Sequence, residues 1–346
     1  MAKLSLRKGS AMLVTDKLSR EYFVGELADE GYLIITGDKT VLFTDARYYY
    51  ETKSNAPSNI EVRLFEGLNS IDDYLKAQTI KTLYLDFTKV TVSEYLENKK
   101  LGLKIKDGSK KLIDLRAIKS AKEIRLIKKA CEIVQNAFYK SLTSIKLGMT
   151  EIELKKIVND NFLALGADGL GFDTIVAFGK NASVPHHVSD NTVLDKNCEI
   201  LIETGAKYSG YISDLTRTVY FGEPSEEFKR NYEAVLRANQ TAIDIIKVGT
   251  VTCEADGFAR NVLEKHGLKE YFTHSQRHGV GLEIHEKPTL SPKRKYKLKN
   301  RMVFTIEPGV YLDGKSGIRI EDTVVLKDGK VQRLFTDDKK MIIIKN

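Results

Sequence analysis

The sequence has no tryptophan, only three cysteines and no long apolar run. A membrane-spanning helix needs about 20 consecutive, mostly apolar residues, whereas the longest apolar runs here are short ones such as the MIII of residues 341–344. The first residues, MAKLSLRKGSAMLV, lack the continuous apolar segment of a signal peptide. We therefore expect a protein without a membrane partner.

The cysteines indicate a reducing environment. Cys131, Cys198 and Cys253 are odd in number, and no two of them form a C-x-x-C pair. A disulfide framework needs paired cysteines, and such frameworks belong to oxidising compartments. We expect free thiols and a cytoplasmic location.

The positive charge raises the possibility of a nucleic-acid partner, but its distribution argues against one. The chain of 346 residues has a formal net charge of +8. Residues 101–130 carry ten Lys/Arg against three Asp/Glu, yet they overlap a predicted amphipathic helix whose lysines lie on the solvated face. Residues 287–301 carry seven Lys/Arg and no acid, and we interpret them as an exposed loop. Without interleaved aromatic residues that stack on bases, we expect no nucleic-acid partner.

Length and pattern predict two domains. Residues 1–117 alternate strand-like and short helical segments, including a hairpin that turns at Gly37-Asp38. Residues 118–346 begin with two helices that open with capping-box spacing, SAKE at 120–123 and TEIE at 150–153. Two more helices are predicted at roughly 225–247 and 252–266, and strands around 277–284, 302–311 and 317–326 follow them. The order helix, helix, strands thus occurs twice within 120–326. We predict a small α/β domain followed by a two-layer α+β domain with internal pseudo-symmetry.

One predicted hairpin in the second domain places two acids opposite each other. It runs through EILIETGA and YISDLTRT. A turn centred between Tyr208 and Ser209 sets Glu203 opposite Asp214. Apolar neighbours on the same strand indicate that this acidic pair is buried.

A second predicted hairpin has the same feature. It runs through MVFTIEPGVYL and IRIEDTVV, and a turn centred on Gly314 sets Glu307 opposite Glu321. Opposed side chains in an antiparallel pair have Cβ atoms only about 4.5–5.5 Å apart, where like charges repel. Shared protons or bound cations relieve that repulsion. Four carboxylates match the charge of two divalent ions, which predicts a dinuclear metal site.

Each acid also has a simpler interpretation. Asp214 can pair with Arg217, and Glu321 can pair with Arg319. A slip of one residue in either register would move the opposed side chains to different faces and remove the argument.

Five motifs follow one another along residues 171–324: GFDTIVAFGKNASVPH, ETGAKYSGYISDLTRT, HSQRHGVGLEIHEKP, FTIEPGVY and GIRIEDTV. Together they resemble the creatinase/prolidase "pita-bread" metallopeptidases, in the branch of the Xaa-Pro aminopeptidases and Xaa-Pro dipeptidases. LFTDARYYYE in the first domain resembles the amino-terminal domain of that branch. The resemblance implies an α+β pita-bread catalytic domain, with pseudo-symmetric helices on an antiparallel sheet, preceded by a smaller α/β creatinase-type domain.

The resemblance also implies a set of metal ligands, which are Glu203, Asp214, His278, Glu307 and Glu321. Asp214 and Glu321 bridge the two metals in this scheme. The first ligand of the family is normally Asp, so Glu203 is a departure that adds one methylene. Oxygen ligands with a single imidazole favour Mn²⁺, with Co²⁺ or Zn²⁺ as alternatives.

Catalytic roles follow from the same resemblance. Glu307 is the proton shuttle between the attacking water and the leaving amine. His285 donates to the oxyanion of the tetrahedral intermediate, and Arg319 orients the carboxylates of the metal site. His186 and His274 are histidines on the substrate side.

Three histidines have simpler interpretations. His266 precedes Gly267 at a predicted helix end, where an imidazole suits the helix dipole. His187 matches no role in the family and is at most a neighbour of the pocket. A core histidine satisfied by backbone groups is the alternative for His274.

The predicted function is removal of the residue that precedes proline at a peptide amino terminus, an Xaa-Pro aminopeptidase. An Xaa-Pro dipeptidase (prolidase) uses the same site and is the alternative. A methionine aminopeptidase and a non-hydrolytic, creatinase-like peptide-binding relative rank lower. The expected partners are peptides with proline at the second position and a second copy of the chain in a homodimer.

Overall fold

The computed structural model describes residues 4–25, 27, 30–273 and 277–345, without the side chain of Arg277. The chain forms two compact units, Met1–Leu115 and Arg116–Asn346. In the described part of the chain, no helix combines the length and apolar character of a membrane span.

The first unit is built on a six-stranded mixed sheet in the order β4-β3-β2-β1-β5-β6. The strands are β1 (Ser10–Val14), β2 (Tyr32–Ile35), β3 (Thr40–Thr44), β4 (Ile60–Leu64), β5 (Thr82–Leu85) and β6 (Lys104–Asp107). The helices are α1 (Lys17–Val24), α2 (Ala46–Asn55), α3 (Leu68–Ala77), α4 (Val92–Lys99) and α5 (Ser109–Ala117). The predicted hairpin at Gly37-Asp38 is confirmed, since β2 and β3 pair antiparallel.

Alternating side chains of β1 divide the core of this unit. Ala11 and Leu13 belong to one apolar cluster, whereas Met12 and Val14 belong to another. Successive side chains of a strand point to opposite faces. Both faces of the sheet are therefore covered, as expected for an α/β domain.

The four long helices in the described part of the second unit lie where the sequence predicts helices. They are α6 (Ala121–Leu142), α7 (Glu151–Ala164), α8 (Glu226–Ile245) and α9 (Thr252–Lys265). Ser120 and Thr150 form the predicted capping boxes. Helix α9 ends before His266, which is followed by Gly267 at φ 71°. The predicted positions of all four helices are confirmed.

The strands of this unit form one large sheet and two small ones. They are β7 (Gly169–Leu170), β8 (Ile175–Phe178), β9 (Cys198–Thr204), β10 (Ala206–Tyr208), β11 (Tyr211–Ile212), β12 (Leu215–Phe221), β13 (Arg277–Gly279), β14 (Glu286–Leu290), β15 (Val303–Ile306), β16 (Gly309–Leu312), β17 (Ser316–Arg319), β18 (Glu321–Lys327), β19 (Lys330–Arg333) and β20 (Ile343–Ile344). The large sheet has the order β14-β13-β15-β18-β12-β9-β8, with β19 on β18 and β20 on β12. Its pairs are antiparallel except β12 with β20.

The two helix pairs cover opposite faces of the large sheet. Phe304 and Val324 pack in one cluster with side chains of α8 and α9. Their strand neighbours Val303 and Val325 pack in another cluster with side chains of α6 and α7. Because side chains alternate along a strand, these clusters lie on opposite faces. This arrangement agrees with the predicted pseudo-symmetric fold.

The predicted register of the first acidic hairpin is wrong. Glu203 lies opposite Thr216, not Asp214. The turn is formed by Ser209 and Gly210, with φ 45° and 79°, and such paired positive φ angles are typical of a two-residue type I′ turn. The turn lies one residue later along the chain than predicted, so the residue opposite Glu203 lies two positions later, at Thr216 instead of Asp214. A shift of two preserves the face, so the acids remain on one side of the sheet.

The predicted register of the second hairpin is confirmed. Ile306 pairs with Asp322, and Gly309 pairs with Arg319. These pairs bracket Glu307 and Glu321, which therefore lie at opposed positions.

Two further expectations in the second unit need correction. The strand predicted over 277–284 ends at Gly279, and residues 287–290, predicted as loop, belong to β14. The intervening segment bends around Gly279 and Gly281.

Candidate metal centre

Five neighbouring strands of the large sheet each bring one predicted metal ligand to the same region. His278 lies in β13, Glu307 follows the last residue of β15, and Glu321 opens β18. Asp214 precedes β12, and Glu203 lies in β9. The strand order β13-β15-β18-β12-β9 places these positions side by side.

Three of the five side chains converge closely. One ligand atom each of Asp214, His278 and Glu321 lies within 4.8 Å of the other two. His278 Nε2 is 3.5 Å from Asp214 Oδ2 and 3.6 Å from Glu307 Oε1. These four residues form what we call the acidic cluster: Asp214, His278, Glu307 and Glu321.

The electrostatics of the acidic cluster fit divalent cations. Asp214 Oδ1 and Glu321 Oε1 are buried without a hydrogen-bond partner among the described residues, and such groups are costly to leave unsatisfied. Burial and the neighbouring carboxylates raise the pKa of Asp214 and of Glu307 well above the usual range. The same causes raise the pKa of Glu321 to about 7. Positive ions would satisfy these oxygens and favour the ionised carboxylates.

The imidazole of His278 is neutral, as a metal ligand must be. Burial, together with His285, lowers the pKa of His278 to about 4. The ring centroids of His278 and His285 lie 4.4 Å apart in an edge-to-face contact. His285 is thereby placed next to the acidic cluster.

Glu203 is not part of the closest group of ligand atoms, and its carboxylate pairs with Arg319. The buried Arg319 contacts the Glu203 carboxylate through Nη2. It also donates to Thr216 Oγ1 at 3.0 Å, to Tyr311 Oη at 2.7 Å and to the Pro185 carbonyl at 3.2 Å. Arg319 thus links Glu203, the predicted first metal ligand, to Thr216 of β12, to Tyr311 of β16 and to Pro185.

The simpler interpretations of the acids are wrong. Arg217 pairs with Asp322 at 2.9 Å and with Asp337 at 2.7 Å instead of with Asp214. The Arg319 guanidinium is paired with Glu203, and no ion pair joins it to Glu321 in the described part of the chain.

Two threonines that sequence reasoning missed support the carboxylates. Thr216 Oγ1 donates to Glu321 Oε2 at 2.6 Å. Thr305 Oγ1 donates to Glu307 Oε1 at 2.9 Å. Each lies two residues from a predicted ligand, Thr216 from Asp214 and Thr305 from Glu307. Residues two apart on a strand share a face. Examining the positions two residues from each predicted ligand would therefore have identified both threonines.

Sequence reasoning also missed the buried clamp of the segment that carries His285. Glu286 accepts from Arg116, from Lys119 Nζ at 2.7 Å and from the Glu283 amide at 3.1 Å. Burial by itself would raise the pKa of Glu286, but Lys119 and Arg116 lower it to about 2. A Cβ at Gly281 would lie 2.6 Å from this carboxylate. The chain between Gly281 and Glu286 therefore folds closely around the Glu286 carboxylate.

The remaining predicted residues lie at different distances from the acidic cluster. His186 is exposed, and its only link to the cluster in the described structure is the neighbouring Pro185 carbonyl on Arg319. His187 instead contacts Glu151, with Nε2 2.7 Å from Oε2. His274 lies outside the described residues.

Comparison with known families identifies the fold. A model of metallopeptidase family M24 matches residues 125–328, and a model of the creatinase/prolidase N-terminal domain matches residues 2–118. The chain belongs to metallopeptidase family M24. The predicted family, the pita-bread fold class and the prediction of a metallopeptidase are confirmed.

Relatives of this M24 peptidase match nearly all of its length. An Xaa-Pro dipeptidase of Pyrococcus horikoshii is 37% identical over 316 residues, which cover 90% of this chain and 88% of the relative. The structure of an Xaa-Pro dipeptidase from Bacillus anthracis has a TM-score of 0.93 at 32% identity and covers 96% of this chain and 95% of its own. The structure of an X-Pro aminopeptidase from Thermotoga maritima has a TM-score of 0.91 at 34% identity and covers 97% of each chain.

Proposed function

We propose that this M24 peptidase is an Xaa-Pro dipeptidase, which hydrolyses dipeptides that end in proline. The observation that carries the proposal is the buried acidic cluster in a chain of this family. The Pyrococcus horikoshii and Bacillus anthracis relatives are both named Xaa-Pro dipeptidases. These names favour dipeptidase activity over the Xaa-Pro aminopeptidase activity predicted from the sequence. Aminopeptidase activity is the second candidate, because the Thermotoga maritima structure bears that name.

Two divalent ions, with Mn²⁺ the first choice, belong to the proposal. Asp214, His278, Glu307 and Glu321 would hold one of them, and Glu203 with Asp214 and Glu321 would hold the other. Their carboxylate oxygens and single imidazole suit Mn²⁺, and Co²⁺ and Zn²⁺ remain alternatives. Bound there, the ions would polarise the scissile carbonyl and lower the pKa of a water molecule.

The protein residues have separate roles in this scheme. Glu307 moves a proton from the water to the leaving amine, because a carboxylate placed beside the reacting water can accept a proton and pass it on. His285 donates to the oxyanion, and Arg319 holds the Glu203 carboxylate in place. His186 and His274 contact the substrate.

The organisation of the chain completes the proposal. Residues 1–117 form the creatinase-type domain, and residues 118–346 form the catalytic domain. The chain acts as a homodimer in the cytoplasm.

The experiment is a comparison of Xaa-Pro dipeptides with Xaa-Pro-Xaa tripeptides in the presence of Mn²⁺. A dipeptidase should cleave the dipeptide with a kcat/KM at least about tenfold higher, which corresponds to about 1.4 kcal/mol. Asp214→Asn, which keeps the shape of the side chain but removes its charge, is the inactive control. A preference for the tripeptide would establish the aminopeptidase instead, and cleavage of neither substrate would refute both activities.

A further inference from the structure

Glu151, the first residue of α7, is fully buried and gathers four hydrogen bonds. Its Oε1 accepts from the Phe178 amide at 2.7 Å and from Asn181 Nδ2 at 3.0 Å. Its Oε2 accepts from His187 Nε2 at 2.7 Å and from the Asp190 amide at 3.0 Å. All four donors lie on one segment, which we call the 178–190 loop.

This arrangement is a hydrogen-bonded anchor and not a second metal site. Ligand atoms of Glu151, His187 and Asp190 lie within 4.8 Å of one another. However, a carboxylate offers about four lone-pair positions, and the four donors of the loop already occupy them. The negative charge of Glu151 is also favoured by its place in the first turn of a helix.

The other side of the 178–190 loop is held by the β16–β17 hairpin. Ser183 Oγ accepts from the Gly314 amide at 3.2 Å. The backbones approach so closely that a Cβ at Gly317 would lie 1.7 Å from the Ala182 carbonyl oxygen. The Pro185 carbonyl accepts from Arg319 at 3.2 Å. The 178–190 loop is therefore held at two points. Glu151 binds it on one side, and Arg319, which pairs with Glu203, binds it on the other.

His186 lies between two anchored neighbours. Pro185 is bound to Arg319 through its carbonyl, and His187 is bound to Glu151 through its ring. His186 itself is exposed. Two fixed points one residue away on either side restrict the backbone of His186 while its side chain stays accessible.

We propose that Glu151 and His187 are positioning residues that hold the 178–190 loop so that His186 faces the substrate. The proposal rests on the proposed function, in which His186 contacts the peptide. Neither positioning residue touches the substrate. Their effect is on substrate affinity, because a misplaced binding group weakens the complex before it affects the reacting atoms.

A pair of variants at His187 tests the hydrogen bond. His187→Gln keeps an N–H donor for Glu151, whereas His187→Ala removes it. His187→Ala should raise KM for an Xaa-Pro dipeptide about tenfold, because a hydrogen bond to a buried carboxylate is lost. The kcat and the Mn²⁺ content should stay within about twofold, which is within about 0.4 kcal/mol. His187→Gln should restore most of the affinity.

Hydrogen exchange tests the anchor without any substrate. In Glu151→Gln, an amide NH₂ replaces one acceptor oxygen, so donors of the 178–190 loop lose their partner. Because the Phe178 amide binds Oε1 and the Asp190 amide binds Oε2, at least one of these two amides should then exchange about tenfold faster or more, since local opening costs less. Glu153→Gln is the matched control, since Glu153 lies on the same helix but is exposed and forms its hydrogen bonds with Thr150 in the capping box.

The outcomes separate the two proposals. Equal KM values for His187→Ala and His187→Gln, or a loss of Mn²⁺ in parallel with the rise in KM, would overturn the positioning role. If the wild-type protein cleaves no Xaa-Pro substrate, the proposed function fails, and exchange alone then decides on the anchor. Unchanged exchange in both His187→Ala and Glu151→Gln would refute it.

Discussion

Glu203 is one methylene longer than the Asp that the resemblance led us to expect, and its carboxylate is paired with buried Arg319. Arg319 also donates to Thr216, which in turn donates to Glu321. A chain of hydrogen bonds therefore connects Glu203 with the acidic cluster. Glu203 itself is not in the closest group of ligand atoms, which contains Asp214, His278 and Glu321.

Shortening this side chain should strengthen the proposed second metal site. In Glu203→Asp, the carboxylate retreats by one methylene toward the position that is normal for the family, and we expect the affinity for the second Mn²⁺ to rise about tenfold, or about 1.4 kcal/mol. Calorimetric titration of the metal-free protein measures both affinity and stoichiometry. Glu203→Gln, which removes the charge at full length, should lower the stoichiometry. Identical titrations for wild type and Glu203→Asp would show that β9 already accommodates Glu.

At the scale of elements, a single turn explains why one hairpin was predicted correctly and the other was not. The pattern of strands and acids predicted both hairpins. However, type I′ geometry requires positive φ at both central residues, which is easiest when Gly occupies the second of them. Centring the turn on Ser209-Gly210 instead of Tyr208-Ser209 would have led to the observed pairing of Glu203 with Thr216.

The segment between β13 and β14 was the least predictable element of the site. Its pattern resembles a strand, yet Glu286 draws the chain into a closed bend. The cations that hold Glu286, Arg116 and Lys119, come from a part of the sequence about 170 residues earlier. No local pattern reveals such a distant ion pair.

Glu286→Gln tests this clamp. The change leaves buried Lys119 without its anion and leaves Arg116 with Glu283 alone, and breaking a buried ion pair costs about 3–5 kcal/mol. Denaturant unfolding should show this loss. Glu283→Gln is the matched control, because Glu283 also contacts Arg116 but its side chain is 33% exposed, so we expect at most about 1 kcal/mol. Equal losses for both variants would contradict the clamp.

At the scale of the whole molecule, the large sheet places the carboxylates of the acidic cluster between two apolar layers. The layers are formed by the two helix pairs on opposite faces. The buried Asp322, by contrast, has cationic partners in Arg217 and Lys339. The acidic cluster has Arg319 nearby but retains unsatisfied carboxylate oxygens. The stability of the fold should therefore depend on metal and on pH together.

This dependence has a definite sign. The pKa of Glu321 is raised from 4.5 to about 7 in the folded, metal-free chain. The folded state thus keeps a proton that the unfolded state releases, so the stability of the metal-free protein falls as pH rises from about 4.5 to about 7. Bound Mn²⁺ removes the penalty by pairing with the ionised carboxylates.

Thermal unfolding with EDTA or with Mn²⁺ checks the prediction. The difference in Tm between the two conditions should be small near pH 5 and should grow as the pH approaches about 8. The Asp214→Asn variant should show a smaller metal-dependent difference at every pH. A difference that is constant across this range would contradict the linkage between the carboxylates and the metal.

The sequence by itself determined the family, the helix starts and the residue types of the centre. Capping boxes at Ser120 and Thr150 are local signals, because each cap and its partner lie within one helical turn. The second acidic hairpin is local in the same sense, since its register depends on one turn around Gly314. Ordered motifs were sufficient for the family, which depends on residue types and spacing.

Only the tertiary structure decided how those residues are held. The pairing of Glu203 with Arg319, of Glu286 with Arg116 and of the 178–190 loop with Glu151 joins residues far apart in the chain. Such partners are chosen by burial, because a charge inside the fold must find a counterion or a set of donors. Burial is a property of the packed molecule, and no stretch of sequence contains it.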